Sequence, residues 1–392
     1  MQWLESSVVE GRLRFVSACL SGEASMTEVC ERFEISRKTG YKWLDRYAAE
    51  GPSGLLDRSH APLQHGRATD GALAEAIIML KLARPNWGPR KIVARLALDH
   101  PDLAWPSAST AGEILKRAGL VEPRHRRRRV APTLGGLTTP ERPNHVWAVD
   151  HKGWVRLGDG RRCEPLTVTD GFSRYLLALS AGSSTREEQA RPWFEAAFAE
   201  FGLPWAIRSD NGPPFASTGV TGLSALSVWW TKLGIRHERI TPGKPQQNGR
   251  HERFHRTLLE AMRPPAADQA AQAERFDAFR QDYNHQRPHE ALGQLPPAAL
   301  YQPSPRKLPD RPPEPDYPPQ AAVRRVRSNG EIKWRGDLVH ISSALCGEPI
   351  AVEETEQGDW QVRFYDRPIG LIDQTTNQLR RLSAAAPTPP DL

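Results

Sequence analysis

Apolar positions along the 392-residue chain change their period twice. Residues 8–50 read as helical. Within MTEVCERFEISRKTGYKWLDRY, Val29 and Phe33 stand four positions apart on one face of a first helix, and Glu34-Ile35-Ser36 makes a short turn with Ile35 inward. Ser36 can cap a second helix carrying Tyr41, Trp43 and Leu44, whose start offers Ser36, Arg37, Lys38, Thr39 and Lys42 as polar side chains. Gly51-Pro52-Ser53-Gly54 closes this unit. A second helical unit follows over 70–121. LAEAIIMLKLARP stops before Pro85, WGPRKIVARLALDH starts at Pro89 in a favoured first-turn position, and SASTAGEILKRAGL ends at Gly119.

From about residue 141 the pattern alternates. HVWAVD, PLTVTD and YLLALS are strand-like, TREEQARPWFEAAFAEF is helical, PWAIRSD is a strand, LSALSVWWTKL a helix and IRHERI a short strand; a long helical stretch begins at Asn248. Strands first, then alternation with helices, predict a mixed sheet flanked by helices. Residues 303–319 hold eight prolines and read as an extended linker. Beyond it, the Asn329-Gly330 hairpin signal and the short apolar runs PIAVEE, WQVRFYD and IGLID predict a small antiparallel β-barrel. The expected divisions are 8–60, 70–121, a basic linker 122–140, a core 141–300, the linker 301–320 and the barrel 321–385.

Composition narrows the class. No apolar run approaches the roughly 20 residues of a spanning helix, and MQWLESSVVEGRLRF lacks a signal-peptide pattern, so a cytoplasmic, non-membrane protein is expected. Cys19, Cys30, Cys163 and Cys346 form no CxxC pair and support neither a zinc knuckle nor a disulfide framework. The net charge is +7, and Arg124, Arg126, Arg127, Arg128 and Arg129 crowd into six residues. Such a run repels itself out of any core; it is either a solvated linker or an arm for phosphates. Two helices joined by a tight turn, with polar residues at the start of the second, follow the helix-turn-helix plan, so that start is expected in a DNA major groove.

Three carboxylates stand at informative places. Asp150 ends HVWAVD, Asp210 ends PWAIRSD, and Glu252 lies in the helix of PQQNGRHERFHRTLLEAM. If the three converge, their mutual repulsion raises at least one pKa, and divalent cations relieve it. Oxygen-only ligands suit Mg²⁺ or Mn²⁺.

The stretches WAVDHKGW, VTDGFSRY, RSDNGPPF and RHERITPGKPQQNGRHERFHRTL are similar to the catalytic core of DDE transposases and integrases. The whole chain resembles a bacterial insertion-sequence transposase of the retroviral-integrase-like type. The resemblance implies a ribonuclease H-like core with a five-stranded mixed sheet. It implies Asp150, Asp210 and Glu252 as a triad for two Mg²⁺ or Mn²⁺ ions, with Asp150 bridging them. It further implies nicking of the ends of a mobile element, joining of the freed 3′-OH to target DNA, binding of double-stranded DNA at terminal inverted repeats, and a homo-oligomer in the active complex. One departure stands out: 42 positions separate Asp210 from Glu252, longer than the family usually has, and the surplus fits a Gly/Ser-rich insertion at 216–226.

Other residues admit plainer readings. Asp170 precedes Gly171 and reads as a turn residue; Glu238 reads as solvated. Glu252 could simply pair with Arg256 at i+4. On the Glu252 helix, Phe254, Leu258 and Met262 read as packing, whereas His255 and Arg256 are expected to face DNA, with a structural histidine as the alternative for His255. Lys244, Gln247 and Asn248 are candidates for DNA contact against plain loop solvation. Two other functions stay open: a DNA-binding regulator with a relic core, and a metal-dependent nuclease without strand transfer.

Overall fold

Serine caps start the first helices. In the computed structural model, which describes residues 7–58, 69–121 and 136–382, α1 (Val8–Leu20), α2 (Met26–Arg32) and α3 (Arg37–Glu50) enclose Phe15, Val16, Val29, Cys30, Trp43 and Leu55. Ser25 and Glu28 form a capping box at α2, and Ser36 Oγ accepts from Thr39 N at 3.2 Å to open α3. A Cβ on Gly40 would lie 2.7 Å from Cys30 Sγ and 3.0 Å from the Phe15 ring, so glycine is what lets α3 approach α2 this closely. These helices belong to one compact unit, Met1–Ala68; the rest of the chain forms a second.

The second unit begins with α4 (Gly71–Ala83), α5 (Pro89–Asp99) and α6 (Ala108–Arg117), closed on Ile77, Trp87, Ile92, Ala111 and Leu115. Pro89 occupies the first turn of α5, and Ser107 caps α6.

The core strands are β1 (Val146–His151), a small β2–β3 hairpin (Val155–Arg156, Arg162–Cys163), β4 (Leu166–Asp170) and β5 (Leu176–Leu179). Then come α7 (Glu187–Phe201), β6 (Ala206–Ser209), α8 (Ala225–Lys232), β7 (Arg236–Arg239), α9 (Gly249–Ala261) and α10 (Gln269–His285). The five-stranded mixed sheet runs β5-β4-β1-β6-β7, antiparallel from β5 to β1 and parallel from β1 to β7. Trp147 and Val149 pack with α7 and α8 through Phe194, Phe198, Leu226 and Trp230. Helices α9 and α10 meet β5 through Leu176, Leu179, Phe254, Leu258, Phe276 and Tyr283. The α4–α6 helices reach α10 through Arg84–Asp282 and the segment after it through Arg90–Glu290 at 2.9 Å.

The proline-rich segment is extended, as its sequence predicts, but it is strapped to the core. Tyr301 stacks on Tyr175 with ring centroids 4.3 Å apart, and Arg306 donates to the Pro204, Leu233 and Gly234 carbonyls. Gly202, at φ 77°, receives this strap, since a Cβ there would meet Ser304 O at 2.6 Å.

The C-terminal strands are β8 (Ala322–Arg325), β9 (Glu331–Trp334), β10 (Asp337–His340), β11 (Pro349–Glu354), β12 (Trp360–Phe364), β13 (Arg367–Ile372) and β14 (Leu379–Arg380). The expected barrel is not closed. An open sheet runs β14-β13-β12-β11-β8, and β9 and β10 pair only with each other among the described residues. The hairpin packs over the sheet instead of joining it, burying Ile332, Trp334 and Val339 against Val352, Val362 and Phe364.

The insertion at 216–226 has a structural role. Leu223, with Val228 of α8, is buried in the hydrophobic core of the C-terminal sheet, and Arg381 donates to the carbonyls of Thr218 and Gly219. The extra residues therefore dock the C-terminal sheet onto the core. Leu223→Ala is expected to destabilise the C-terminal sheet by about 2–4 kcal/mol, seen as faster hydrogen exchange across β11–β13. Unchanged exchange there would show that the insertion is not part of that core.

Candidate active site

Strand register brings two acids together. The parallel pairing of β1 and β6 sets Trp147 opposite Ile207 and Ala148 opposite Arg208. Carried two residues past its last pair, to the carboxyl ends of both strands, that register directs Asp150 and Asp210 toward one face of the sheet, and the Asp210 charge acts on Asp150. Open sheets of parallel strands bind ligands at that end. Trp147 and Val149 point to the opposite face, into the core. Asp210 opens a turn, in which its Oδ1 accepts from Gly212 N at 3.1 Å. Asn211 Nδ2 ties the turn to Ile240 O at 2.7 Å.

The third acid arrives on α9. Glu252 is exposed, while Phe254, His255, Leu258 and Met262 on other faces of the helix are buried. Burial pushes the Asp150 carboxyl from an ordinary 3.8 up to about 7, and the charges of Asp210 and then Glu252 add to that rise. The His151 backbone N–H and Lys152 pull the other way. Asp210 and Glu252 thus each act electrostatically on Asp150. Among the described residues, no three His, Cys, Asp or Glu side chains form a group that could enclose a metal ion.

A buried hydrogen-bond relay fixes α9 to the sheet. Thr167 Oγ1, on β4 opposite Asp150, lies 2.9 Å from Asp150 O, 2.6 Å from His251 Nε2 and 2.7 Å from His255 Nε2. A hydroxyl has one hydrogen. With that hydrogen on the Asp150 carbonyl, both imidazoles must donate from Nε2, and His251 Nδ1 accepts from Thr169 Oγ1 at 2.9 Å. Burial holds both rings neutral, lowering His251 to about 3 and His255 to about 2. His255 Nδ1 is then a lone pair facing Asp150 Oδ2 at 3.6 Å. A neutral nitrogen lone pair beside a carboxylate is repulsive unless a proton or a cation lies near. In charge and donor type, then, these residues fit a hard divalent cation.

Other sequence expectations divide. Ser36, Arg37, Lys38 and Lys42 are exposed at the start of α3, with Thr39 half-buried and bonded to Ser36. Lys244 and Arg256 are exposed. His255 does not face outward as expected; it is the structural histidine of the relay. Gln247 and Asn248 are also buried, and Gln247 Oε1 accepts from Thr241 N at 2.6 Å. Arg124 and Arg126–Arg129 lie outside the described residues. Asp170 is a turn residue, buried and bonded to Asn144 N, Ser173 N and Ser173 Oγ. Glu238 is not solvated: it pairs with Arg208 at 2.8 Å, and both side chains are buried. The reading of the sequence missed His251 and Thr167; the His-x-x-x-His spacing on one helix face and the alternating threonines of LTVTD were the available signals.

The central fold is that of an integrase core, preceded in the chain by helix-turn-helix modules, and comparison with known proteins agrees. The integrase core domain family matches residues 140–245 and 233–297, a helix-turn-helix domain matches 12–62, and a homeodomain-like domain matches 39–115. The C-terminal domain of IS481 family transposases matches 321–380. The chain is 33% identical to the insertion element IS407 uncharacterized 31.7 kDa protein of Burkholderia multivorans, over 58% of this chain and 79% of that one. It is 28% identical to the insertion element IS476 uncharacterized 39.2 kDa protein of Xanthomonas euvesicatoria, over 61% and 66%. The HTLV-2 integrase catalytic core domain in complex with magnesium aligns at TM-score 0.33 and 17% identity, over 41% of this chain and 98% of that one. The chain belongs to the bacterial insertion-sequence transposases of the retroviral-integrase-like family, a class of DNA-cutting and DNA-joining enzymes. No helix among the described residues is long and apolar enough to cross a membrane.

The raised Asp150 value has a measurable consequence. The folded protein holds a proton that the unfolded chain releases near pH 3.8. The resulting stabilisation is complete below that pH and is lost as pH rises through about 7, by up to about 4 kcal/mol. The groups facing Asp150 are Asp210, Glu252, Lys152, His151 and His255. Without added metal, Asp150→Asn should match the wild type near pH 4 and be the more stable of the two above pH 7. Parallel stability-against-pH curves for the two proteins would contradict this.

Proposed function

We propose that this chain moves a mobile DNA element by binding its terminal inverted repeats, nicking the element ends and joining the freed 3′-OH groups to target DNA. The observation that carries this reading is the electrostatic coupling of Asp150 to Asp210 and Glu252 at the end of the mixed sheet. Asp150, Asp210 and Glu252 would hold two Mg²⁺ or Mn²⁺ ions, which supply Lewis acidity and charge neutralisation for in-line phosphoryl transfer.

The protein's own groups supply position. Strand β1 and the Thr167 bond hold the Asp150 backbone, and the turn through Gly212 and Asn211 holds Asp210 at the strand end. The relay through His251 and His255 orients α9, and with it Glu252, against β4. In the first step water attacks the phosphodiester at the element end and its P–O3′ bond breaks, freeing the 3′-OH; in the second that 3′-OH attacks a target phosphodiester and displaces the target's 3′-oxygen, with no covalent enzyme intermediate.

DNA recognition falls to residues 8–60 and 70–121. Ser36, Arg37, Lys38, Thr39 and Lys42 read the major groove, and the arginine run 124–129, Lys244 and Arg256 meet phosphates. Two ends and a target in one reaction call for a homo-oligomer, and the region 321–385 would help bridge subunits or DNA. All three acids are present, which argues against a regulator with a relic core.

The test is a plasmid carrying the element with its flanking DNA, incubated with protein and Mg²⁺. Wild-type protein is expected to nick the ends and join them. Asp210→Asn should lose both activities by several orders of magnitude and still bind the DNA. Normal cleavage by Asp210→Asn would refute the site assignment. Hydrolysis without joining by the wild type would make it a nuclease, and binding alone would make it a regulator.

A further inference from the structure

A cavity of about 630 Å³ lies between α5, the β4–β5 turn, α9 and the segment after α10. Its lining includes Lys91, Arg174, Arg208, Arg250, Arg253 and Arg287. The acids on its wall are largely engaged. Asp170 accepts three hydrogen bonds from Asn144 and Ser173, and Glu290 pairs with Arg90 at 2.9 Å. Glu252 belongs to the triad. Among the cations, Arg208 is paired with Glu238. Arg250 and Arg253 make no ion pair or hydrogen bond among the described residues. Arg174 sits in the left-handed region at φ 66°, and among the described residues its guanidinium donates to the Gly171 carbonyl alone. Burial, Arg250 and Arg253 together lower its guanidinium to about 10. His289 lines the same space, and its Nε2 is buried without a hydrogen-bond partner among the described residues. The amino end of α9 opens here too, through Asn248 and Gly249, adding the positive end of a helix dipole.

Like charges gathered around a cavity are costly unless an anion enters. The volume suits one nucleotide and is far too small for a duplex. Tyr283 and Phe254, packed in the α9–α10 core, give the cavity an apolar wall. We propose that this cavity binds a phosphate with its attached nucleoside, taken from a single DNA strand that has left the duplex. Arg174, Arg250 and Arg253 would contact the phosphate, with His289 beside them. The DNA source rests on the transposase reading above; the phosphate chemistry does not.

The test is metal-free binding by the full chain in the Asp210→Asn background, so that it is independent of cleavage. The probes are a blunt random-sequence duplex, the same duplex with a short single-stranded overhang, deoxyadenosine monophosphate and pyrophosphate. The variant is Arg250→Gln/Arg253→Gln, both exposed positions, with Arg174→Gln as a second variant and circular dichroism checking the fold. The overhang duplex is expected to bind more tightly than the blunt one. The double variant should lose that advantage, at least about tenfold in affinity, and about one unit or more of salt dependence. It should change blunt-duplex binding by less than about twofold. Equal losses on both duplexes, or no loss on either, would overturn the proposal. Tight binding of the monophosphate or pyrophosphate, with no preference for the overhang, would assign the cavity to a free nucleotide and overturn the strand source.

Discussion

Two carboxylates at adjacent ends of parallel strands cannot both be comfortable in a buried setting. The β1–β6 register, carried on to the strand ends, directs the half-buried Asp150 and Asp210 toward that arrangement, and much of the rest of the core serves or relieves it. Asp150 answers by holding its proton to about pH 7. Glu252 brings a third negative charge on a helix that packs on the same sheet face. Such an arrangement stores like-charge repulsion that a divalent cation can release.

The surrounding structure keeps that cluster in place by satisfying buried polar groups. Thr167 serves a backbone carbonyl and two imidazoles at once, and His251 carries the chain of bonds on to Thr169. Each unsatisfied member would cost about 1–3 kcal/mol, so α9 is fixed by directional bonds as well as by Phe254 and Leu258. Further out, the proline-rich strap and the 216–226 insertion bind the C-terminal sheet to the core through Tyr301, Arg306 and Leu223. These elements make a frame in which a strand, a turn and a helix present the three acids and their packing holds them still.

Much of this was legible in the sequence. Period-two runs such as HVWAVD and PWAIRSD placed the sheet, and Ser36 and Pro89 marked real helix starts. The position of Asp150 and Asp210 at strand ends was visible; their adjacency was not, because strand order and register are set by long-range pairing. His255 was read on a polar face of α9, and helical spacing alone could not reveal that β4 presents two threonines to that face. Glu238 looked solvated because its strand is polar, and only the pairing of β6 with β7 puts Arg208 opposite it. The short C-terminal strands suggested a barrel, but closure depends on which edges meet, and the β9–β10 hairpin turns out to cover the sheet.

The central claim is that Asp150, Asp210 and Glu252 form one cation site. It is tested most directly by titrating the metal-free protein with Mn²⁺ near neutral pH, following bound ion by calorimetry or electron paramagnetic resonance. Saturable binding by the wild type is expected, weakened more than about tenfold in each of Asp150→Asn, Asp210→Asn and Glu252→Gln. Binding that is indistinguishable from wild type in all three variants would contradict the account.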